Sequence, residues 1–117
     1  MNELDEYQMF TRTTAIYPKS VAELAGIPIG LMYCGLKLAG EAGEVAEKIG
    51  KALRDSSGLI DEARNDDLVL ELGDVMWYVA RIADELGVTL SQVTEANTKK
   101  LRERKRAGKL GGSGDYR

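Results

Sequence analysis

Apolar residues recur every three or four positions from about residue 29 to 54, at Leu31, Cys34, Leu38, Ala42, Val45, Ile49 and Ala52. That spacing is one face of a long α-helix. A second stripe of the same period runs through Leu68, Leu72, Val75, Val79, Ile82 and Leu86, with Asn65 or Asp66 as its cap and Gly87 as its stop. The SSG at 56–58 separates the two, and LIDEARN after it reads as a polar connection with room for a helical turn. A weaker stripe, Leu4, Tyr7, Phe10 or Thr11, and Thr14, predicts a first helix from Asn2 up to Tyr17-Pro18. Thr89-x-x-Gln92 is a capping-box signature for a last helix, which runs to about Arg106 and ends before Gly108. Ser20-x-x-Glu23 resembles a capping box for a turn closed by Gly26, and Pro28 suits the first turn of the long helix. Nothing alternates at the period of a strand. The pattern therefore predicts an all-α bundle of about four helices with an antiparallel central hairpin, residues 1–107 as a single domain, and a flexible glycine-rich tail over 108–117.

The two long stripes carry a repeated octet. LAGEAGEV at 38–45 returns as LVLELGDV at 68–75. With Leu38 as origin, Glu41 falls at about 300° and Glu44 at about 240° around the helix; with Leu68 as origin, Glu71 and Asp74 take the same two angles. Positions 41 and 74, and positions 44 and 71, share one midpoint inside the SSG break. A hairpin folded there sets Glu41 level with Asp74 and Glu44 level with Glu71, so four carboxylates meet at the rim of the core. Gly43 and Gly73, each costing about 1 kcal/mol against alanine within a helix, suggest backbones in close approach. Gathered acids repel and lose hydration, which calls for a cation. All-oxygen ligation selects Mg²⁺, or alternatively Mn²⁺. Glu47, at about 180°, reads as surface.

Composition narrows the chemistry. The 117 residues contain no histidine and one cysteine, which excludes a histidine-based triad, the usual zinc sites and an internal disulfide. At 44% hydrophobic and 30% charged residues the chain reads as soluble, with no apolar run near the roughly 20 residues of a membrane span. The acidic start MNELDEYQMF lacks a secretory pattern, so a cytoplasmic protein of cellular or viral origin is expected. Charge is polarised: residues 1–98 hold 17 acidic and 8 basic side chains, residues 99–117 hold 2 and 8. On the last helix, Asn97, Lys100 and Arg104 border the apolar face with Val93 and Leu101, where they are placed to take phosphates; Lys99, Arg102, Lys105 and Arg106 form an exposed basic face. Lys48 lies at about 280°, between the acids in phase, and is a further phosphate candidate. Tyr17, Tyr33, Trp77 and Tyr78 offer aromatic surface on which a ligand could stack, and of these Tyr78 shares the flank of Glu71 and Asp74. Lys109 or Arg117 would add charge if the tail closes over a ligand.

At these residues the chain resembles the MazG-like all-α nucleoside triphosphate pyrophosphohydrolase superfamily. The resemblance rests on Glu41-x-x-Glu44 and Glu71-x-x-Asp74, on Asn97-x-x-Lys100-Leu101-x-x-Arg104, and on a GSGDYR ending similar to that of small phage and bacterial members, and it covers roughly residues 30–117. It implies a homodimer or homotetramer of helical bundles that hydrolyses a nucleoside triphosphate to monophosphate and pyrophosphate with Mg²⁺, in nucleotide-pool housecleaning or trimming. The four acids would be the catalytic and metal-binding residues. Two rival readings stand beside it: a phosphoribosyl-ATP pyrophosphohydrolase, and a non-enzymatic helical dimerisation module whose basic tail binds nucleic acid. The second explains the tail and leaves the doubled acidic octet unexplained.

Overall fold

The computed structural model of the chain describes residues 1–17, 23–24 and 26–115. Four helices account for most of it: α1 (Glu3–Thr14), α2 (Ile29–Ser56), α3 (Glu62–Glu85) and α4 (Leu90–Arg106). Each start has a local cause. Asn2 accepts a hydrogen bond from the Asp5 amide at 2.9 Å and caps α1. Pro28 stands immediately before α2, where its missing N–H leaves no bond unmade. Thr89 and Gln92 form the reciprocal capping box of α4, through the Gln92 amide to the Thr89 hydroxyl at 3.1 Å and the Thr89 amide to the Gln92 side chain at 2.8 Å. The α2 terminus unwinds through left-handed Ser57 and Gly58, at φ of 53° and 81°, and the Gly58 amide closes onto the Ala52 carbonyl at 2.9 Å.

Two features differ from the pattern-based expectation. The α3 cap is Asp61, which accepts from the Arg64 amide at 2.9 Å, so the helix starts a turn before Asn65 and Asp66 and absorbs most of LIDEARN. Between α1 and α2 lies a minimal two-stranded ladder, β1 (Glu23–Leu24) and β2 (Ile27–Pro28), paired around Gly26 at φ 80°. The Ser20 capping box and Pro18 lie outside the described residues.

The long helices α2 and α3 pack on each other, and α1 lies against α3 and α4. Two small cores form. One gathers Ala15, Tyr17 and Cys34 with Tyr33, Trp77, Tyr78 and Ile82, and the other gathers Ala80, Ala83 and Leu90 with Leu4, Tyr7, Val79 and Val88. Part of each apolar stripe stays uncovered: Ile49 on α2 is 43% exposed, and Leu72 on α3 and Leu86 at its end are 52% and 60% exposed, while Leu36, Leu53 and Leu70, off the stripes, are more exposed still. The radius of gyration, 17.2 Å, exceeds the about 13 Å of a compact domain of this length. The single chain is an open arrangement of helices. No described helix is long and apolar enough to cross a membrane.

Candidate active site

The octets bring three of their four acids together. One carboxylate oxygen from each of Glu41 on α2 and Glu71 and Asp74 on α3 lies within 4.8 Å of the others. Burial, followed by the charges of Asp74 and Glu71, pushes the Glu41 carboxyl above its ordinary value. That is the electrostatic signature of acids crowded together, only partly offset by the charge of Lys37. Hard oxygen donors without nitrogen or sulfur among them suit a hard divalent ion, so the donor set fits Mg²⁺ or Mn²⁺. Glu44 is exposed and stands outside the three-residue cluster, near enough for its charge to act on Glu41 and Lys48. Lys48 leans in from α2, its Nζ 3.1 Å from Glu71 Oε1. Gly43 and Gly73 do not mark a tight contact: a Cβ added at either would meet no neighbouring atom within 4 Å. At Gly30, by contrast, it would fall 2.5 Å from the Glu85 carboxylate.

Beside the acids lies a cavity of about 360 Å³ walled by Tyr17, Tyr33, Trp77 and Tyr78, with Glu41 and Asp74 on its rim. Tyr17 stacks on Tyr33 with ring centroids 5.4 Å apart, and Trp77 meets Tyr17 and Tyr78 edge-on at 6.3 and 4.9 Å. The Trp77 indole N–H donates to the Thr14 hydroxyl at 2.8 Å, which fixes the ring. Burial first, then the Tyr33 hydroxyl, pushes Tyr78 up to about 12, so its phenol stays neutral beside Glu41.

The cations of α4 sit elsewhere. Lys100 reaches Asp115 at 3.1 Å, and Arg104 donates to the Gly114 carbonyl at 3.0 Å and to Asp115 at 3.4 Å. Arg104 is buried, with its Nε unpaired among the described residues, while Asn97 is exposed. None of the three lines the cavity that Glu41 and Asp74 share with the aromatic rings. Arg117 lies outside the described residues.

Residues 33–108 match the family model of the MazG nucleotide pyrophosphohydrolase domain. The chain belongs to the MazG family. The match contains Glu41, Glu44, Glu71, Asp74, Asn97, Lys100 and Arg104. Over 114 residues the chain is 50% identical to the Gene 37 protein of Mycobacterium phage L5, covering 97% of this chain and 98% of that one. No solved structure matches.

In this MazG domain a second polar assembly, which no motif in the chain singles out, holds α1 against α3. Asp84 accepts from Arg12 at 2.6 and 2.9 Å, from Arg81 at 2.6 Å and from Gln8 at 2.7 Å. The Arg12 guanidinium first, then Arg81, holds the Asp84 carboxyl down to about 2. Buried Arg81 also donates to the Thr11 and Tyr17 hydroxyls, both at 3.2 Å, and the Tyr17 hydroxyl donates to Glu85 at 2.9 Å. Gln8 accepts from the Leu90 amide at 2.8 Å, and Asp5 from the Ser91 amide at 3.0 Å, so α1 also ties down the start of α4. The assembly positions Tyr17 and Thr14 along the aromatic cavity. Apart from Arg81 and Asp84, three residues apart on α3, its pairs join residues 64 or more apart in sequence, beyond the reach of any local pattern.

Proposed function

We propose that this protein is a Mg²⁺-dependent nucleoside triphosphate pyrophosphohydrolase that converts an NTP or dNTP to the monophosphate and pyrophosphate, with Mn²⁺ able to replace Mg²⁺. What carries this reading is the meeting of Glu41, Glu71 and Asp74 within 4.8 Å at the mouth of a tyrosine-walled cavity, in a chain of the MazG family. Glu41, Glu71 and Asp74 hold the ion, with Glu44 as its fourth carboxylate. When bound, the ion supplies positive charge to phosphate oxygens and makes a water more acidic. One of the four carboxylates takes the water's proton as its oxygen bonds to phosphorus and the P–O–P bridge breaks, releasing pyrophosphate. The base stacks among Tyr33, Tyr78, Tyr17 and Trp77 and Lys48 takes phosphate oxygens, while Asn97, Lys100 and Arg104, which do not line this cavity in their own chain, take phosphate and sugar oxygens of a substrate held by a second copy.

The uncovered stripes support assembly as a homodimer or homotetramer, with α2 and α3 as an antiparallel hairpin of one domain over 1–107 and 108–117 as its glycine-rich tail. Cytoplasmic nucleotides are the natural substrate pool. The test is a panel of canonical and modified ribo- and deoxyribonucleoside triphosphates with Mg²⁺, scored by monophosphate formed. Turnover of at least one class is expected. No turnover across the panel would overturn the reading.

A further inference from the structure

Along α2 and α3, toward the 57–61 connection and away from the tyrosines, lies a second cavity of about 280 Å³, lined by Lys48, Lys51, Asp55, Arg64, Asp67 and Leu68. Lys48 belongs to both regions, because its Nζ also touches Glu71 of the acidic cluster at 3.1 Å. The cavity's cations have replaceable partners. Lys51 pairs with Glu47 at 3.5 Å, an exposed contact within one helix that contributes little. The Arg64 guanidinium donates to the Ser56 hydroxyl and to the Leu59 carbonyl, both uncharged, and like Lys51 feels the Asp55 charge without a direct hydrogen bond to it. Of the two acids present, Asp55 is already held by Arg54 through contacts of 2.7 and 2.9 Å. Lys51 follows Lys48 by one turn, and Arg64 precedes Glu71 by two turns, so the cations continue the faces that carry the carboxylates.

We propose that this cavity receives the terminal two phosphates of the triphosphate, with Lys51 and Arg64 as their contacts and Lys48 at the boundary with the carboxylates. The substrate then lies along the α2 and α3 pair, base among the tyrosines, reacting phosphate over Glu41, Glu71 and Asp74, and departing pyrophosphate toward the 57–61 connection. This rests on the pyrophosphohydrolase reading and adds a direction to it. It also gives Lys51 and Arg64 a task that exposed or loop-closing residues would not have. Planar, multidentate Arg64 suits the terminal phosphate, and flexible Lys51 suits the bridge between the two.

The experiment is calorimetric titration of the full-length protein, in Mg²⁺ buffer, with inorganic pyrophosphate and separately with the nucleoside monophosphate product. Lys51→Gln and Arg64→Gln should each weaken pyrophosphate about tenfold, the loss of one charge-assisted contact, and leave monophosphate binding within twofold. Lys51→Arg should retain wild-type affinity. Tyr33→Ala should show the reverse pattern, weakened monophosphate and unchanged pyrophosphate. The Lys51 side chain is 54% exposed, so its variants keep the test decisive even if Arg64→Gln disturbs the connection it helps to close. Wild-type turnover together with unchanged pyrophosphate affinity in Lys51→Gln and Arg64→Gln would overturn the proposed direction and leave the hydrolase reading standing. Absence of turnover in the wild type with any triphosphate would overturn both.

Discussion

Replacing Asp84 by Asn keeps the shape of the residue that joins α1 to α3 and removes its charge. Asp84 faces two guanidiniums, Arg12 and Arg81, and its carboxyl falls from an ordinary 3.8 to about 2. Because the folded value lies below the unfolded one, the ionised form stabilises the fold. That contribution is full above roughly pH 5 and is lost as pH falls toward 2. At about 1.4 kcal/mol per pH unit the difference amounts to about 2 kcal/mol at neutral pH. Asp84 is only 14% exposed, whereas Arg12, the larger influence on its carboxyl, is 56% exposed, so the Arg12 contact loses more to solvent screening than the buried Arg81 contact. Denaturant unfolding of wild type and Asp84→Asn, at matched protein concentration from pH 7 to pH 2.5, should show a gap of about 2 kcal/mol that narrows to about 1 kcal/mol at the acid end. The variant should also raise KM, since the same network holds Tyr17 against the aromatic cavity. A gap that stays constant down to pH 2.5, or an absent gap at pH 7, would refute the reasoning.

Glu41→Gln, Glu71→Gln and Asp74→Asn should each lower kcat by two orders of magnitude or more, while metal-free thermal stability holds or rises because like-charge repulsion is relieved; wild-type-like activity in any two would end the assignment. Lys100→Ala and Arg104→Ala should raise KM about tenfold, and equal kinetics for variants and wild type would remove α4 from phosphate binding. Deleting residues 109–117 takes Asp115 off Lys100 and Arg104 and should change KM without unfolding the helices, as followed by circular dichroism and steady-state rates. Light scattering at micromolar concentration should report a dimer or tetramer, and a monomer would contradict the covering of Leu72 and Leu86 by a second copy.

The carboxylate cluster was legible in the chain because helical period and a repeated octet are both local signals, and together they set Glu41, Glu71 and Asp74 on facing rims. Glu44 shows the limit of angular reasoning: its backbone phase suits the cluster, but its side chain points to solvent. The α3 start was harder, since Asn65 and Asp66 are as good caps as Asp61 and only the Arg64 amide bond distinguishes them. Gly43 and Gly73 looked like close-approach residues, and the open space around them removes that reason. The Asp84 assembly was not legible at all. Its members come from α1 and α3, and each taken singly looks like an ordinary surface polar residue. The tyrosines could be named from sequence but not arranged, because their meeting depends on how α1, α2 and α3 cross.

Product analysis under metal control tests the central claim most directly. With the preferred triphosphate from the panel and Mg²⁺, nucleoside monophosphate and pyrophosphate should appear in equal amounts, stop on addition of a chelator and resume when Mg²⁺ or Mn²⁺ is restored. Release of inorganic phosphate with nucleoside diphosphate, or turnover that continues undiminished in the chelator, would contradict it.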